Sequence, residues 1–331
     1  MADLDQKVLV SLSHPVPEAA PGLRHEAMLY ADDRQYADQL VRFLDAGLAA
    51  GEPAFVAVPG PHVRVLRDAL DSRADRVRFA DMSRLGRNPG RIIPAIRDFL
   101  DEHAGRRTRF VGEPIWSGRT SAEVAEATRH EALINLAFAD YDTHIVCPYD
   151  VERLGHDVLA DAGRTHPTIS APGRRSDSAA WTDPLQLCEA RAWPLKPPPP
   201  AAEVSEQVFS DLFSLRAPVT RAARSAGLDD AGGDTLLLAV TELCTNTLRH
   251  APGAGMLRIW TEGPDVVCEV EDGGTIADPL AGRHRAPADA ETGRGLFLVN
   301  QLCDLVQLRS DAHGTTVRVR VGNGRHGTGA R

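Results

Sequence analysis

Along the first half of the chain, short β-branched and apolar runs alternate with longer stretches whose apolar positions recur every three or four residues. The runs Ala27 to Tyr30, Pro53 to Val58, Val77 to Met82, Thr108 to Trp116 and Thr143 to Tyr149 read as strands. Helices are predicted over Arg34 to Ala50, Pro61 to Asp71, Pro89 to Ala104 and Ser121 to Ala139, with a last one from Val151. Asn88 followed by Pro89 suits a helix start, because the amide side chain can cap free N–H groups and proline fits the first turn. Strict alternation of strand and helix implies a three-layer α/β domain with a mainly parallel sheet.

The second half has a different order: helices over Pro218 to Ala226 and Asp234 to Arg249, a hairpin of Leu257 to Thr261 with Val266 to Glu271, a Gly-rich stretch, a helix over Gly295 to Cys303, and a second hairpin. In that hairpin Val317, Val319 and Val321 alternate with Arg318 and Arg320, the pattern of a strand with one wet face. This predicts a two-layer α/β sandwich with helices on one face of an antiparallel-rich sheet. Between the halves the composition turns to Gly, Ser and Pro and ends in Pro197 to Pro200, a run excluded from helix interiors and central strands. The expected layout is an N-terminal tail at 1–22, an α/β domain at 23–169, a Pro-rich linker at 170–202, the second domain at 203–322 and a C-terminal tail at 323–331. Trp181, Leu185, Leu187 and Trp193 make the linker apolar enough for part of it to pack on a domain.

Charge narrows the partners. With 37 Lys and Arg against 46 Asp and Glu, the net charge of −9 argues against nonspecific binding to nucleic acid or to an anionic membrane. No apolar run approaches the roughly 18 residues of a membrane span. The five cysteines are an odd number, widely spaced and without a CxxC pair, so neither a disulfide framework nor a zinc knuckle is indicated. The expected compartment is the cytosol.

The candidate chemistry lies in LLLAVTELCTNTLRH, where Glu242, Asn246 and His250 recur every four residues beside an apolar stripe of Leu236, Val240, Leu243 and Thr247. An amide oxygen can join water and phosphate oxygens around Mg²⁺, and a carboxylate one turn away can accept the proton of an attacking hydroxyl. Alone, this pairing is common on exposed helices. The strand Val266 to Glu271, however, runs into Asp272-Gly273-Gly274, where glycine lets a flat ligand approach the backbone. Thr292-Gly293-Arg294-Gly295-Leu296-Phe297 then opens a helix whose free N–H groups suit phosphates, and Gly314-Thr315-Thr316 opens the last strand.

In order and spacing these elements, over about residues 204 to 322, resemble the GHKL (Bergerat-fold) ATPases, most closely the RsbW-like anti-sigma-factor serine kinases. The resemblance implies ATP and Mg²⁺ as cofactors, with Glu242 as general base and Asn246 as metal ligand. It places Asp272 on the adenine amino group, Gly274 in that pocket, Thr315 in the adenine network, and Gly293, Arg294, Gly295 and Leu296 at the nucleotide. Ile276 to Glu291 forms a short lid, and Ile276 stands where the family pattern has a second glycine. Arg216 and Arg221 are both near the position of a partner-engaging arginine, and His250 is equally well read as a helix C-terminal cap.

The first domain has no GxxxxGK[ST] and no GxGxxG. It resembles the MEDS sensor domain over residues 23 to 168, through His25-Glu26-Ala27-Met28-Leu29-Tyr30, the segment Gly47 to Val58, Cys147-Pro148-Tyr149-Asp150 and Arg164-Thr165-His166-Pro167. Similar domains are thought to sense small organic molecules. His25, Tyr30, Glu113 and Tyr149 fall at strand ends, where open α/β sheets place ligands. Glu131 and Asn135 repeat the ExxxN spacing with no Asp-Gly strand end after them and are read as surface residues. The twelve histidines show no metal-binding spacing and are read as surface and capping residues.

The combined expectation is a regulator that binds ATP·Mg²⁺, phosphorylates Ser or Thr of a STAS-domain anti-anti-sigma protein and/or sequesters a sigma factor, under control of a sensory domain that takes a small-molecule ligand. Family members commonly dimerise through the ATPase domain. Two alternatives stand beside it: an ATP-binding partner-switch module without kinase activity, and a sensor histidine kinase with His25 or His130, each followed by Glu, as phosphoacceptor.

Overall fold

The computed structural model describes residues 22–189, 194–285 and 293–322, and the chain divides into two units after Cys188. The expected tails at 1–22 and 323–331 lie, apart from Gly22, outside the described residues, as does Trp193.

The first unit runs β1 (Arg24–Tyr30), α1 (Asp33–Ala49), β2 (Ala54–Val58), α2 (Gly60–Leu70), β3 (Val77–Asp81), a one-turn α3 (Met82–Leu85), α4 (Ile92–Glu102), β4 (Thr108–Gly112), α5 (Ser121–Ala137), β5 (Thr143–Asp150), α6 (His156–Thr165), β6 (Thr168–Ala171), β7 (Arg174–Asp177) and α7 (Pro184–Cys188). Its sheet has the order β3-β2-β4-β5-β1-β6-β7, parallel except for the β6–β7 hairpin. Strand β5 is buried at every position, as a central strand covered on both faces must be. Alternation along β1 sends Met28 and Tyr30 into the core built with Tyr36, Leu40 and Leu44 of α1, and His25 to the opposite face, against Asn135 of α5. This is the three-layer α/β arrangement expected from the alternating pattern.

Three boundaries differ from the expectation for local reasons. The helix predicted from Pro89 begins as a 3₁₀ turn, with the Asn88 side chain accepting from Gly90 N–H at 3.1 Å. The one predicted from Val151 begins at His156, because the Asp150 carboxylate accepts from the N–H groups of Glu152 and Arg153 and holds a turn there. Residues 170–188, read from composition as the start of a linker, supply β7 and α7. Arg175 Nε donates to Glu26 Oε2 at 2.7 Å and ties the hairpin to β1, and Leu187 is buried.

The second unit runs β8 (Ser205–Phe209), α8 (Phe213–Ser225), α9 (Asp230–His250), β9 (Gly255–Glu262), β10 (Asp265–Asp272), α10 (Arg294–Leu302), β11 (Leu305–Asp311) and β12 (Gly314–Gly322). The sheet order is β11-β12-β10-β9-β8, antiparallel throughout. Leu236, Val240 and Leu243 of α9 pack on Leu257, Ile259, Val270, Val317 and Val319, giving the two-layer sandwich. On the opposite sheet face Glu269 receives Arg258 Nη1 at 3.1 Å and Arg318 Nε at 2.9 Å, and Arg318 Nη1 reaches back to the carbonyl of Lys196 at 2.8 Å. The Pro-rich run thus starts against this face.

Helix α8 begins five residues before the predicted Pro218 and runs through it. Proline cannot donate to the Ser214 carbonyl one turn back, and the Gln207 side-chain amide donates there instead at 3.4 Å. Asp229 caps α9 by accepting from Gly232 N–H at 2.7 Å, which starts that helix earlier than its apolar stripe. Among the described residues no helix is long and apolar enough to cross a membrane.

Candidate functional site

Two helices build the site in the second unit. Glu242 and Asn246 lie on α9, both half-buried, and α10 starts beside them after Gly293, which adopts a left-handed conformation at φ 89°. Gly295 makes the closest approach: a Cβ there would meet Glu242 Oε2 at 2.7 Å and the Asn246 amide at 3.4–3.5 Å. Any side chain at 295 would therefore displace the carboxylate. Arg294 is exposed at the helix start and Leu296 packs against the core. The chemical pair on α9 thus lies beside the first turn of another helix, where negative charge is favoured.

The Asp272 end is held by a separate network. Asp272 Oδ2 accepts from the Thr247 hydroxyl at 2.6 Å, and Oδ1 accepts from Gly274 N–H at 2.8 Å. Thr315 Oγ1 donates to the Gly274 carbonyl at 2.8 Å and lies 2.8 Å from Ser310 Oγ. With the Thr315 proton committed, Ser310 must be the donor to Thr315, and Ser310 in turn accepts from Ile276 N–H at 2.8 Å. This relay joins β11, β12 and the turn after β10, and it gives Ile276 a backbone role at the position without glycine. Gly314 is required at its place: with φ 149°, a Cβ would lie 2.3 Å from the Asp272 carbonyl.

All nine site residues expected from the sequence therefore fall in two adjoining groups, Glu242, Asn246, Gly293, Arg294, Gly295 and Leu296 around the α9–α10 contact, and Asp272, Gly274 and Thr315 at the ends of β10 and β12. Sequence reasoning missed two supports, Thr247 and Ser310. Thr247 was counted in the apolar stripe, and a hydroxyl directly after Asn246 is the signal that could have found it. Of the lid, residues 286–291 lie outside the described residues, as does Thr292. Its first part is fixed where Asn300 Nδ2 donates to the Gly282 carbonyl at 3.1 Å. Arg216 and Arg221 are both exposed on α8, and His250 is exposed in the last turn of α9.

In the first unit the four strand-end residues separate into two clusters. At the carboxyl ends of β1 and β4, Glu113 accepts from Tyr30 at 3.2 Å and Tyr36 at 3.0 Å and lies 2.7 Å from His62 Nδ1. Burial raises the Glu113 carboxyl above its ordinary range, against the opposing hydrogen bonds from His62, Tyr36 and Tyr30. On the opposite sheet face His25 and Tyr149 both contact the ring of His166. Two readings are corrected here. Glu131 and Asn135 are not surface residues: Glu131 is 0% exposed and Asn135 accepts from His25 at 3.1 Å. His25, His130, His144 and His166 are buried rather than scattered over the surface.

Comparison with known proteins follows this division. The family described as MEthanogen/methylotroph, DcmR Sensory domain (MEDS) matches residues 24–167, and the Histidine kinase-like ATPase domain matches residues 210–321. The chain joins a MEDS domain to a histidine kinase-like ATPase domain. No curated protein is significantly similar to it. Among solved structures, the RsbU and RsbW domains of Rv1364c from Mycobacterium tuberculosis are 15% identical over 37% of this chain and 33% of that one, with a TM-score of 0.28. The histidine kinase AdeS of Acinetobacter baumannii is 16% identical over 43% of this chain and 74% of that one, with a TM-score of 0.23. The chain thus spans about a third of the length of the M. tuberculosis structure. In the ATPase domain, the two groups above sit on the α9–α10 contact and at the ends of β10 and β12, and the MEDS domain carries both buried polar clusters.

Proposed function

We propose that the ATPase domain binds ATP with Mg²⁺ and transfers a phosphoryl group to Ser or Thr of a STAS-domain anti-anti-sigma protein, releases or sequesters a sigma factor accordingly, and does so under control of the MEDS domain. The observation that carries this reading is the close approach of Gly295 to both Glu242 and Asn246, which brings a carboxylate and an amide to the start of a helix, where phosphate is favoured. The donor set suits the ligand: a hard amide oxygen for Mg²⁺, N–H groups at a helix start for phosphate, and a fixed carboxylate, Asp272, for an adenine amino group. Bound Mg²⁺ would neutralise charge on the phosphate oxygens.

This chain's own groups then have distinct roles. Glu242 accepts the proton of the attacking hydroxyl. Asn246 would hold the metal through its amide oxygen, and the first turn of α10, at Arg294, Gly295 and Leu296, would orient the phosphates. Asp272, held by Thr247 and Gly274, aligns the base, with Thr315 fixing Gly274. Phosphate placed on the partner adds charge at its interface and weakens its hold. The histidine-kinase alternative is disfavoured, since His25 and His130 are each 1% exposed and offer no ring to a phosphoryl donor.

The experiment is capture of partners from native lysate on the full chain, with ATP in the presence and absence of Mg²⁺, followed by phosphosite mass spectrometry. Mg²⁺-dependent phosphorylation of a STAS protein, lost in Glu242→Ala, supports the kinase. The same partners recovered unphosphorylated in both samples would reduce the domain to a binding module.

A further inference from the structure

The second buried cluster of the MEDS domain has no part in the proposed phosphoryl transfer. His25 of β1, Glu131 of α5, Cys147 of β5 and His166, which follows α6, are all buried, and one ligand atom from each lies within 4.8 Å of every other. Glu131 Oε2 is the hub, 3.1 Å from His25 Nε2, 3.3 Å from Cys147 Sγ and 3.4 Å from His166 Nε2, and Cys147 Sγ lies 3.5 Å from His25 Nε2. Tetrahedral zinc with bonds of about 2.0–2.3 Å sets its ligand atoms about 3.3–3.6 Å apart. Four of the six separations thus fall at or within about 0.2 Å of that range, and the other two stay within 4.8 Å.

The surrounding hydrogen bonds decide which atoms point inward. Asn135 Nδ2 donates to the carbonyls of Glu131 and Thr165 at 3.1 and 2.9 Å, which turns its Oδ1 toward His25 Nδ1 at 3.1 Å. His166 Nδ1 lies 2.9 Å from the carbonyl of Ala162, which can only accept. Each imidazole therefore keeps its proton on Nδ1 and presents a bare Nε2 to the same carboxylate oxygen, the arrangement that orients metal-binding histidines. Without a cation, two nitrogen lone pairs and a carboxylate oxygen converge in a dry site around one thiol proton. Among the described residues, His166 Nε2 and Glu131 Oε1 have no hydrogen-bond partner.

We propose that His25, Glu131, Cys147 and His166 form a closed four-ligand site for a divalent transition-metal ion, with zinc the best fit. Two neutral imidazoles, a carboxylate and a thiolate balance a charge of +2, so the filled site buries no net charge. Thiolate suits zinc over Mg²⁺ or Ca²⁺, and four protein ligands leave no open position for substrate. Binding moves one proton, from the Cys147 thiol to solvent, as the S–metal bond forms. The ion would clamp two central strands to the helical layer over them.

The test is metal analysis of the full chain purified without a histidine tag, then titration of the metal-stripped protein with Co²⁺. The expected results are about one zinc per chain, a thiolate-to-cobalt charge-transfer band in the near ultraviolet, and loss of that band in Cys147→Ser. Because Cys147→Ser could unfold the domain, circular dichroism accompanies it, and His166→Ala is expected to weaken Co²⁺ binding at least about tenfold while keeping the thiolate band at saturation. Absence of both zinc and a thiolate band in the wild type, or a band of full intensity in folded Cys147→Ser, would overturn the site.

Discussion

At the scale of single residues, the nucleotide site depends on positions where a side chain would be in the way. Gly295→Val is expected to weaken ATP binding by more than about tenfold by crowding Asn246 and the start of α10, where the phosphates would lie, a change that calorimetry would register while circular dichroism stays unchanged. Thr315→Val removes the proton from the Gly274 carbonyl and strands the Ser310 hydroxyl. It should cost about 1–3 kcal/mol in urea unfolding, and a loss below about 0.5 kcal/mol would mean the relay carries little. The helix-borne part of this site was legible because Glu242 and Asn246 have a spacing that the helix period turns into one face. The relay was not, since Ser310 and Ile276 carry no spacing signal and join Thr315 only when β11 and β12 pair. The His25–Glu131–Cys147–His166 cluster was hidden for the same reason: its members are brought together across β1, β5 and α5 by parallel pairing, in which His25 stands opposite Ile145, two residues before Cys147.

Among elements, the β6–β7 hairpin is the least expected and the most testable. It hangs on the edge of a parallel sheet, and the Glu26–Arg175 pair is its anchor. Burial alone would raise the Glu26 carboxyl, but hydrogen bonding from His144 and the charges of His144 and Arg175 outweigh burial and hold it at about 2, below the usual 4.5. A depressed carboxyl contributes stability that is complete above its unfolded value and is lost as pH falls from there toward the folded one. The MEDS domain should therefore lose stability between about pH 4.5 and 2, and Arg175→Ala should flatten that dependence and lower stability by about 2 kcal/mol. An acid-unfolding profile unchanged in Arg175→Ala would count against this anchor. Most strands and helices were legible from periodicity, including the period-2 run Val317 to Val321. The hairpin and β8 were not: β7 of the hairpin lies where composition reads as linker, and a short edge strand such as SEQVF buries few residues.

For the whole molecule, two separate cores carry two kinds of chemistry, a sensory α/β unit and an ATPase sandwich. Ligand linkage follows: ATP with Mg²⁺ at about a hundred times its dissociation constant should stabilise the ATPase unit by about 2.7 kcal/mol, seen as a shift in that unit's melting transition. A shift of the same size in Asn246→Ala would show that the amide has no part in binding. The central claim is that Glu242 and Asn246 form one Mg·ATP site with the start of α10. Its most direct test is calorimetric titration of the full chain with ATP, with and without Mg²⁺, for the wild type, Asn246→Ala and Glu242→Ala. The account predicts Mg²⁺-dependent binding in the wild type, about tenfold weaker binding in Asn246→Ala, and near-wild-type binding in Glu242→Ala. Absence of ATP binding in the wild type, or equal binding by all three proteins regardless of Mg²⁺, would contradict it.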